Sequence, residues 1–159
     1  MGYQIPLNVK KDECKSDNKN RTDIIHYMTN QAQSQVVGKS NISNSALVET
    51  AVNAIQDRKG SKITLLDLTK LETAPTSTFI ICQGNSTSQV SAIADNIREE
   101  LRLKLGVKPY NYDGYRNSQW IVIDYGSLMV HVFLPDFREF YNIEDLWSDA
   151  KITNIPDLD

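Results

Sequence analysis

Two residues in the last quarter of the chain have side chains suited to proton chemistry and lie close together in sequence. Asp124 and His131 flank Gly126-Ser127, so a tight reversal there sets a carboxylate diagonally across from an imidazole. Such a pair can orient a base, but the sequence places no serine or cysteine nucleophile beside it. The other reading is an oriented pair on a surface or in a second layer. A second candidate is Cys82-Gln-Gly-Asn-Ser-Thr-Ser-Gln-Val90, where Gly84 to Ser88 separate an apolar run from a helical pattern. Free N–H groups and a helix dipole at such a turn can hold a phosphate. The segment lacks GxxxxGK[ST] and GxGxxG, however, and its Ser and Asn are what an ordinary helix cap requires. A nucleotidyl transfer site would follow the turn with two carboxylates two residues apart to hold magnesium. The only Asp-x-Asp here is Asp157 and Asp159, behind Pro156, while Asp67, Asp113 and Asp124 stand alone. His26, His131, Cys14 and Cys82 have no metal-ligand spacing, so neither a metal nor a cofactor is expected.

The element that positions the first pair is Gln119 to Pro135, two runs of β-branched and aromatic residues around Gly126-Ser127. This reads as a β-hairpin with a Gly-first, type II′ loop. Its register pairs Tyr125 with Leu128, Asp124 with Met129, Val122 with His131 and Trp120 with Phe133. One face then carries Ile121, Ile123, Tyr125, Leu128, Val130, Val132 and Leu134, an apolar set that belongs in a core. The opposite face carries Trp120, Val122, Asp124, Met129, His131 and Phe133, where large apolar groups stand beside two groups that resist burial. It is the candidate binding face, on which Trp120 and Met129 are expected to keep solvent exposure. The alternative puts Trp120 and Phe133 under a helix with His131 hydrogen-bonded beneath it, since strands buried on both faces are common in α/β sheets.

At 159 residues with 40% hydrophobic content, the chain has the size of one ordinary domain. Its net charge of −3 gives no global basic field for holding nucleic acid. From Ser43 onward there are 11 basic and 16 acidic residues, against 6 and 4 before it. The folded part is therefore the acidic part, and its natural partner is basic. Two cysteines in unrelated surroundings exclude a disulfide framework and fit a reducing compartment. No apolar run approaches the roughly 20 residues of a membrane span, and the start lacks the pattern of a secretory signal, so a cytoplasmic protein is expected.

Residues 1 to about 42 are rich in Asn, Gln, Lys, Ser and Asp without a sustained period and read as a mobile extension. Asp12, Glu13, Asp17 and Asp23 argue against an Arg-rich transit peptide. An α/β domain is expected over 43–150. Leu47, Val48, Ala51, Val52 and Ile55 make a helical stripe ended by Gly60, and a strand starts at Lys62, with Asp67 conspicuous inside it. TFIICQ is a second strand; a long helix follows with Val90, Ile93, Ala94, Ile97, Leu101 and Leu105 on one side, stopped by Gly106. Pro135 ends the hairpin, DFREFYNIEDLW makes one or two short helical turns, and 151–159 is expected to be a tail. This order describes an α/β sandwich with a mixed sheet of four or five strands.

LLDL, FIICQGNSTSQVSAIADNI, NYDGYRNSQWIVIDYGSLMVHVFLP and FYNIEDLW, covering most of Leu47 to Trp147, resemble the Iojap family, the ribosomal silencing factors. The resemblance implies a fold similar to nucleotidyltransferases without their catalytic carboxylates, in agreement with the missing pair. It also implies a non-enzymatic role: binding the large ribosomal subunit through its fourteenth protein, which blocks subunit joining and lowers translation when nutrients are scarce. Members in organelles look like large-subunit assembly factors. The family's contact surface includes the Trp of W-I-V-x-D and residues around the hairpin, which correspond to Trp120, Asp124 and Met129. Val122, His131 and Phe133 share that face. Two other readings use the same features, a nucleotide-binding transferase at Gly84–Ser88 and a homodimer formed through the Trp120 face. No sequence-specific nucleic-acid readout is expected.

Overall fold

The computed structural model describes residues 42–158, so the expected extension lies, apart from Ile42, outside the described residues. Helix α1 (Asn44–Asp57) begins where the Ser43 side chain accepts the Ala46 N–H at 3.2 Å, and it buries the apolar stripe Leu47, Ala51, Val52, Ala54 and Ile55. Strands β1 (Ser61–Asp67) and β2 (Thr78–Gln83) follow, then α2 (Thr87–Leu105). At its start Ser86 accepts from Gln89 N–H at 3.1 Å while the Gln89 carboxamide accepts from the N–H of Asn85, the residue before the cap, at 2.7 Å. Gly106, at φ +65°, closes the helix with its N–H on the Arg102 carbonyl. Then come β3 (Asn111–Asp113), β4 (Trp120–Asp124), β5 (Leu128–Phe133), α3 (Pro135–Tyr141), α4 (Ile143–Leu146) and β6 (Lys151–Ile155).

The strands form one mixed sheet in the order β3-β4-β5-β2-β1-β6. Its centre is the parallel pair β2–β5, and the other neighbours are antiparallel. The hairpin register is the expected one, with Trp120 opposite Phe133, Val122 opposite His131 and Asp124 opposite Met129. Gly126 supplies the reversal at φ +86°, and Tyr125 N–H donates to the Leu128 carbonyl at 2.8 Å. A second glycine is fixed by space: at Gly114, φ +103°, a Cβ would collide with the Trp120 carbonyl oxygen where the β3–β4 loop crosses the start of β4.

Both faces of the sheet are covered. Helices α1 and α2 bury Ile63, Ile80, Cys82, Ile121, Ile123, Leu128, Val130 and Val132 on one side. On the other, the short α3–α4 layer and the loop after β1 bury Leu66, Phe79, Ile81, Trp120, Val122, Met129 and Phe133 together with Tyr141, Ile143 and Trp147. Two expectations are corrected. Residues 151–155 are an edge strand of a six-stranded sheet: β6 pairs with β1 from Lys151 opposite Asp67 to Ile155 opposite Ile63. Trp120 and Met129 retain only 1% and 4% exposure, because α3 and α4 close over them.

Deleting residues 151–159 removes the β6 ladder and the Asp157 carboxylate that accepts Lys62 N–H at 2.7 Å. The melting temperature should fall by more than about 4 °C, the shift that roughly 1 kcal/mol produces in a domain of this size. An unchanged melting curve would show that the edge strand adds nothing to stability.

Candidate functional site

The second face of the hairpin is an aromatic cluster built around one polar contact. Trp120 stacks on Phe133 directly across the ladder, with ring centroids 5.0 Å apart, and Tyr141 from α3 covers it at 4.9 Å. Its indole N–H donates to His131 Nδ1 at 3.1 Å. Nδ1 is then the acceptor, so the imidazole proton sits on Nε2, which is buried without a hydrogen-bond partner. Phe79 lies against that ring edge-on, at 4.8 Å and 68°, and Trp147 from the end of α4 meets Phe79 at 6.0 Å. Complete burial lowers the His131 pKa from 6.5 to about 3, so the ring stays neutral over the ordinary range.

This geometry corrects the reading of Asp124 and His131 as an oriented pair. Neither imidazole nitrogen bonds the carboxylate: Nδ1 accepts from Trp120 and Nε2 has no hydrogen-bond partner. Asp124, buried at 2% exposure, instead accepts the Gly126 N–H at 2.8 Å and holds the turn. Val122 and Phe133 are buried as well. The six side chains do come together as expected, but as the foundation of a covering layer and not as an open surface. The alternative with His131 hydrogen-bonded under a helix is the arrangement found.

The covering layer is fastened by a residue that sequence reasoning missed. Arg138, with 12% of its side chain exposed, reaches from α3 across the sheet edge. It donates to Glu144 at 2.7 Å, to the Lys62 carbonyl at 2.6 Å, to Gln83 at 3.3 Å and to Thr64 at 3.1 Å. Lys62 occupies a left-handed conformation, φ +52°, at the irregularity in β1, and this turns its carbonyl to Arg138. An Arg between two Phe residues in a short helix was the available signal, since an exposed cation there would interrupt an apolar stretch. The layer is also strongly acidic. From Leu134 to Asp149 five carboxylates, Asp136, Glu139, Glu144, Asp145 and Asp149, face the single cation Arg138. All but Glu144 are exposed.

The remaining chemical candidates resolve into local structure. In the Gly84–Ser88 turn, Gly84 N–H donates to the Phe133 carbonyl and Asn85 N–H to Gln89, so these donors are already used. Gln89 is tied in turn to the Arg58 and Lys59 carbonyls. Asp67 closes on the Thr69 hydroxyl and N–H at 2.7 and 3.0 Å, which hold its pKa below the usual carboxylate value and end β1. Burial pushes the Cys82 thiol up to about 12, leaving a small core residue. Among the described residues no group of three His, Cys, Asp or Glu side chains could hold a metal ion, and no helix is long and apolar enough to cross a membrane. His26 and Cys14 lie outside the described residues.

A mixed six-stranded sheet with a tryptophan-anchored hairpin under an acidic layer defines an α/β domain with a specific sequence signature. The family model described as "Ribosomal silencing factor during starvation" matches residues 41–159. A ribosomal silencing factor of Halalkalibacterium halodurans is 38% identical over 114 residues, which cover 72% of this chain and 96% of that protein. The chloroplastic Iojap protein of Arabidopsis thaliana is 38% identical over 78 residues, covering 49% of this chain and 32% of its own length. Among solved structures, one from Chromobacterium violaceum aligns at a TM-score of 0.64 with 33% identity, over 67% of this chain and 88% of that one. The chain belongs to the ribosomal silencing factor family.

Two outcomes follow from the buried cluster. Trp120→Ala should cost about 3–5 kcal/mol of stability, the usual range for emptying a large aromatic site, as read by urea unfolding. A loss under about 1 kcal/mol would mean the site is not packed as described. The folded-state pKa of His131 lies below the unfolded value, so the unfolded chain binds the proton first as pH falls. The stability from keeping this ring neutral is therefore complete above about pH 6.5 and lost on descent toward about pH 3, at up to about 1.4 kcal/mol per pH unit. Between about pH 7 and pH 5, His131→Gln should flatten the slope of unfolding free energy against pH. Parallel slopes would show that His131 titrates alike in both states.

Proposed function

We propose that this protein is a non-enzymatic repressor of translation. It binds the large ribosomal subunit in the cytoplasm through that subunit's fourteenth protein and occupies space the small subunit needs, lowering translation when nutrients are scarce. The observation that carries this reading is the family match across residues 41–159, essentially the whole described domain. The nucleotidyltransferase-like scaffold of the reading works here by position and affinity, with no bond made or broken.

The electrostatics of the domain favour a basic protein partner. From Ser43 onward there are 16 acidic and 11 basic residues, and the stretch from Leu134 to Asp149 alone holds five acidic and one basic. The exposed surface of α3 and α4 is thus where a basic protein meets the most favourable field. In this reading Trp120, Val122, Met129, His131 and Phe133 serve binding indirectly, by giving the acidic layer a rigid base, and Asp124 by fixing the hairpin turn. The transferase alternative is weakened by the Gly84–Ser88 turn, two of whose N–H groups are spent on the Phe133 carbonyl and the Gln89 side chain.

Sedimentation through a sucrose gradient with isolated subunits tests the reading. The protein should travel with the large subunit and not the small one, and should reduce the yield of joined ribosomes. Migration with the small subunit, or with neither, would remove it. Glu139→Lys combined with Asp145→Lys should weaken large-subunit binding by about tenfold or more at low salt, while Glu49→Lys on α1 should leave it unchanged. Equal losses in both would detach binding from the α3–α4 layer. Saturable micromolar binding of ATP or CTP with magnesium would favour the transferase instead.

A further inference from the structure

The β3 edge of the sheet, on the side of α2, has a different chemistry. Strand β3 is an edge of only three residues, and the ladder is prolonged by Tyr110 N–H donating to the Asp124 carbonyl at 2.8 Å. Tyr110 and Tyr112, two residues apart along this edge, are 49% and 43% exposed. The Arg98 guanidinium lies over the Tyr112 ring, 3.7 Å from its centroid, and donates to the Tyr115 hydroxyl at 3.4 Å. Its Nε–H is buried with no partner. Arg98, Arg102 and Lys108 line a groove of about 530 Å³ between α2 and β3, with Tyr112 at its wall. Asp95 and Glu99 also line it, and Glu99 and Arg102 pair with each other at 2.8 Å. From Arg98 to Arg116 the chain carries five basic and three acidic residues, although the chain as a whole is net negative.

We propose that this strip binds single-stranded RNA without reading its sequence, with bases stacking on Tyr110 and Tyr112 and the phosphates following Arg98, Arg102 and Lys108. Exposed aromatic rings beside a cationic groove are the two components of such sites, the rings stacking on bases and the cations tracking the phosphates. The spacing selects the ligand. Residues two apart on a strand are about 6.6 Å apart, roughly twice the 3.4 Å rise per nucleotide of a stacked strand, so the rings suit splayed bases and not a duplex. The strip lacks the acidic character of the α3–α4 layer, so it suits a partner of opposite charge. The inference rests on the ribosome reading for the source of the RNA, which would be an unpaired loop of the large-subunit RNA.

The test is fluorescence anisotropy of the full chain with a labelled mixed-sequence single-stranded RNA of about 12 nucleotides, at about 50 and about 200 mM salt. Binding should saturate and weaken at the higher salt. Tyr110→Ala, Tyr112→Ala and Lys108→Glu, each with an unchanged circular dichroism spectrum, should weaken it about fivefold or more, and duplex RNA of the same sequence should compete poorly. No saturable binding by the unsubstituted chain, or equal binding by all variants, would overturn the proposal. So would tyrosine variants that alter only the mass measured by light scattering, because the strip would then join two copies of the chain. Gradient sedimentation keeps the two readings apart. A chain that binds the oligonucleotide through the strip but ignores large subunits upholds the strip and removes the docking reading, and the converse removes the strip alone.

Discussion

Burying an indole N–H among aromatic rings without an acceptor is costly, and His131 Nδ1 is the acceptor that Trp120 has, at 3.1 Å. Much of the second face depends on that contact. It fixes the imidazole tautomer and leaves the Nε2 proton buried without a partner, which makes charging the ring costly. A neutral, fixed His131 then packs as an aromatic among Phe79, Trp120 and Phe133, giving a flat base of rings on which Tyr141 and Trp147 settle. The α3–α4 layer is too short to persist by itself, since helices of seven and four residues fall below the length at which isolated helices form. Its position comes from that base and from Arg138, whose guanidinium joins the layer to the backbone of β1.

Much of this was legible in the sequence because strand alternation and turn chemistry are local rules. Gly126 demanded the reversal, alternation sorted the hairpin into two faces, and the observed pairs are those expected. The caps at Ser43, Ser86 and Gly106 were equally readable, being single residues with one dominant use. The failures arise where a polar partner or a covering layer is not written in the local pattern. Asp124 and His131 looked like groups that needed water, but one is satisfied by the Gly126 N–H two residues away and the other by an indole on the partner strand. Whether Trp120 was open or lay under a helix stayed undecided because DFREFYNIEDLW, though readable as short helical turns, is too short to display a helical period that would show which face it covers. Strand β6 was hidden for a similar reason. Its KITNI alternates only weakly, its side chains are mostly exposed, and its pairing partner lies about ninety residues earlier.

Arg138 shows what an isolated residue type cannot convey. Placed in a short helix among aromatics, it reads as a surface cation interrupting an apolar stretch. In the fold it sits 12% exposed, with a carboxylate, a carbonyl, a carboxamide and a hydroxyl around one guanidinium. Such a group is stable only while every partner is present, because losing one leaves a desolvated charge under-satisfied. The irregular Lys62 backbone is part of that arrangement, since its carbonyl accepts the Arg138 proton and its N–H is held by Asp157 in the segment after β6. The end of the chain thereby helps to set the position of the acidic layer.

Charge is divided within the domain in a way that the total conceals. The acidic excess collects over the hairpin's aromatic base, whereas Arg98 to Arg116 carries a local basic excess beside exposed tyrosines at the neighbouring β3 edge, on the α2 side of the sheet. Under the steric mode of action proposed above, this division matters mechanically. One contact fixes where a domain sits but leaves it free to turn about that point, and a turning domain excludes a neighbour poorly. A second contact of opposite charge, on the other side of the sheet, removes that freedom. Each contact also suppresses the wrong pairing, because the acidic layer repels phosphate and the cationic strip repels a basic protein surface. Orientation on a particle made of both RNA and basic protein can thus be encoded in two patches, neither of which needs to read a sequence.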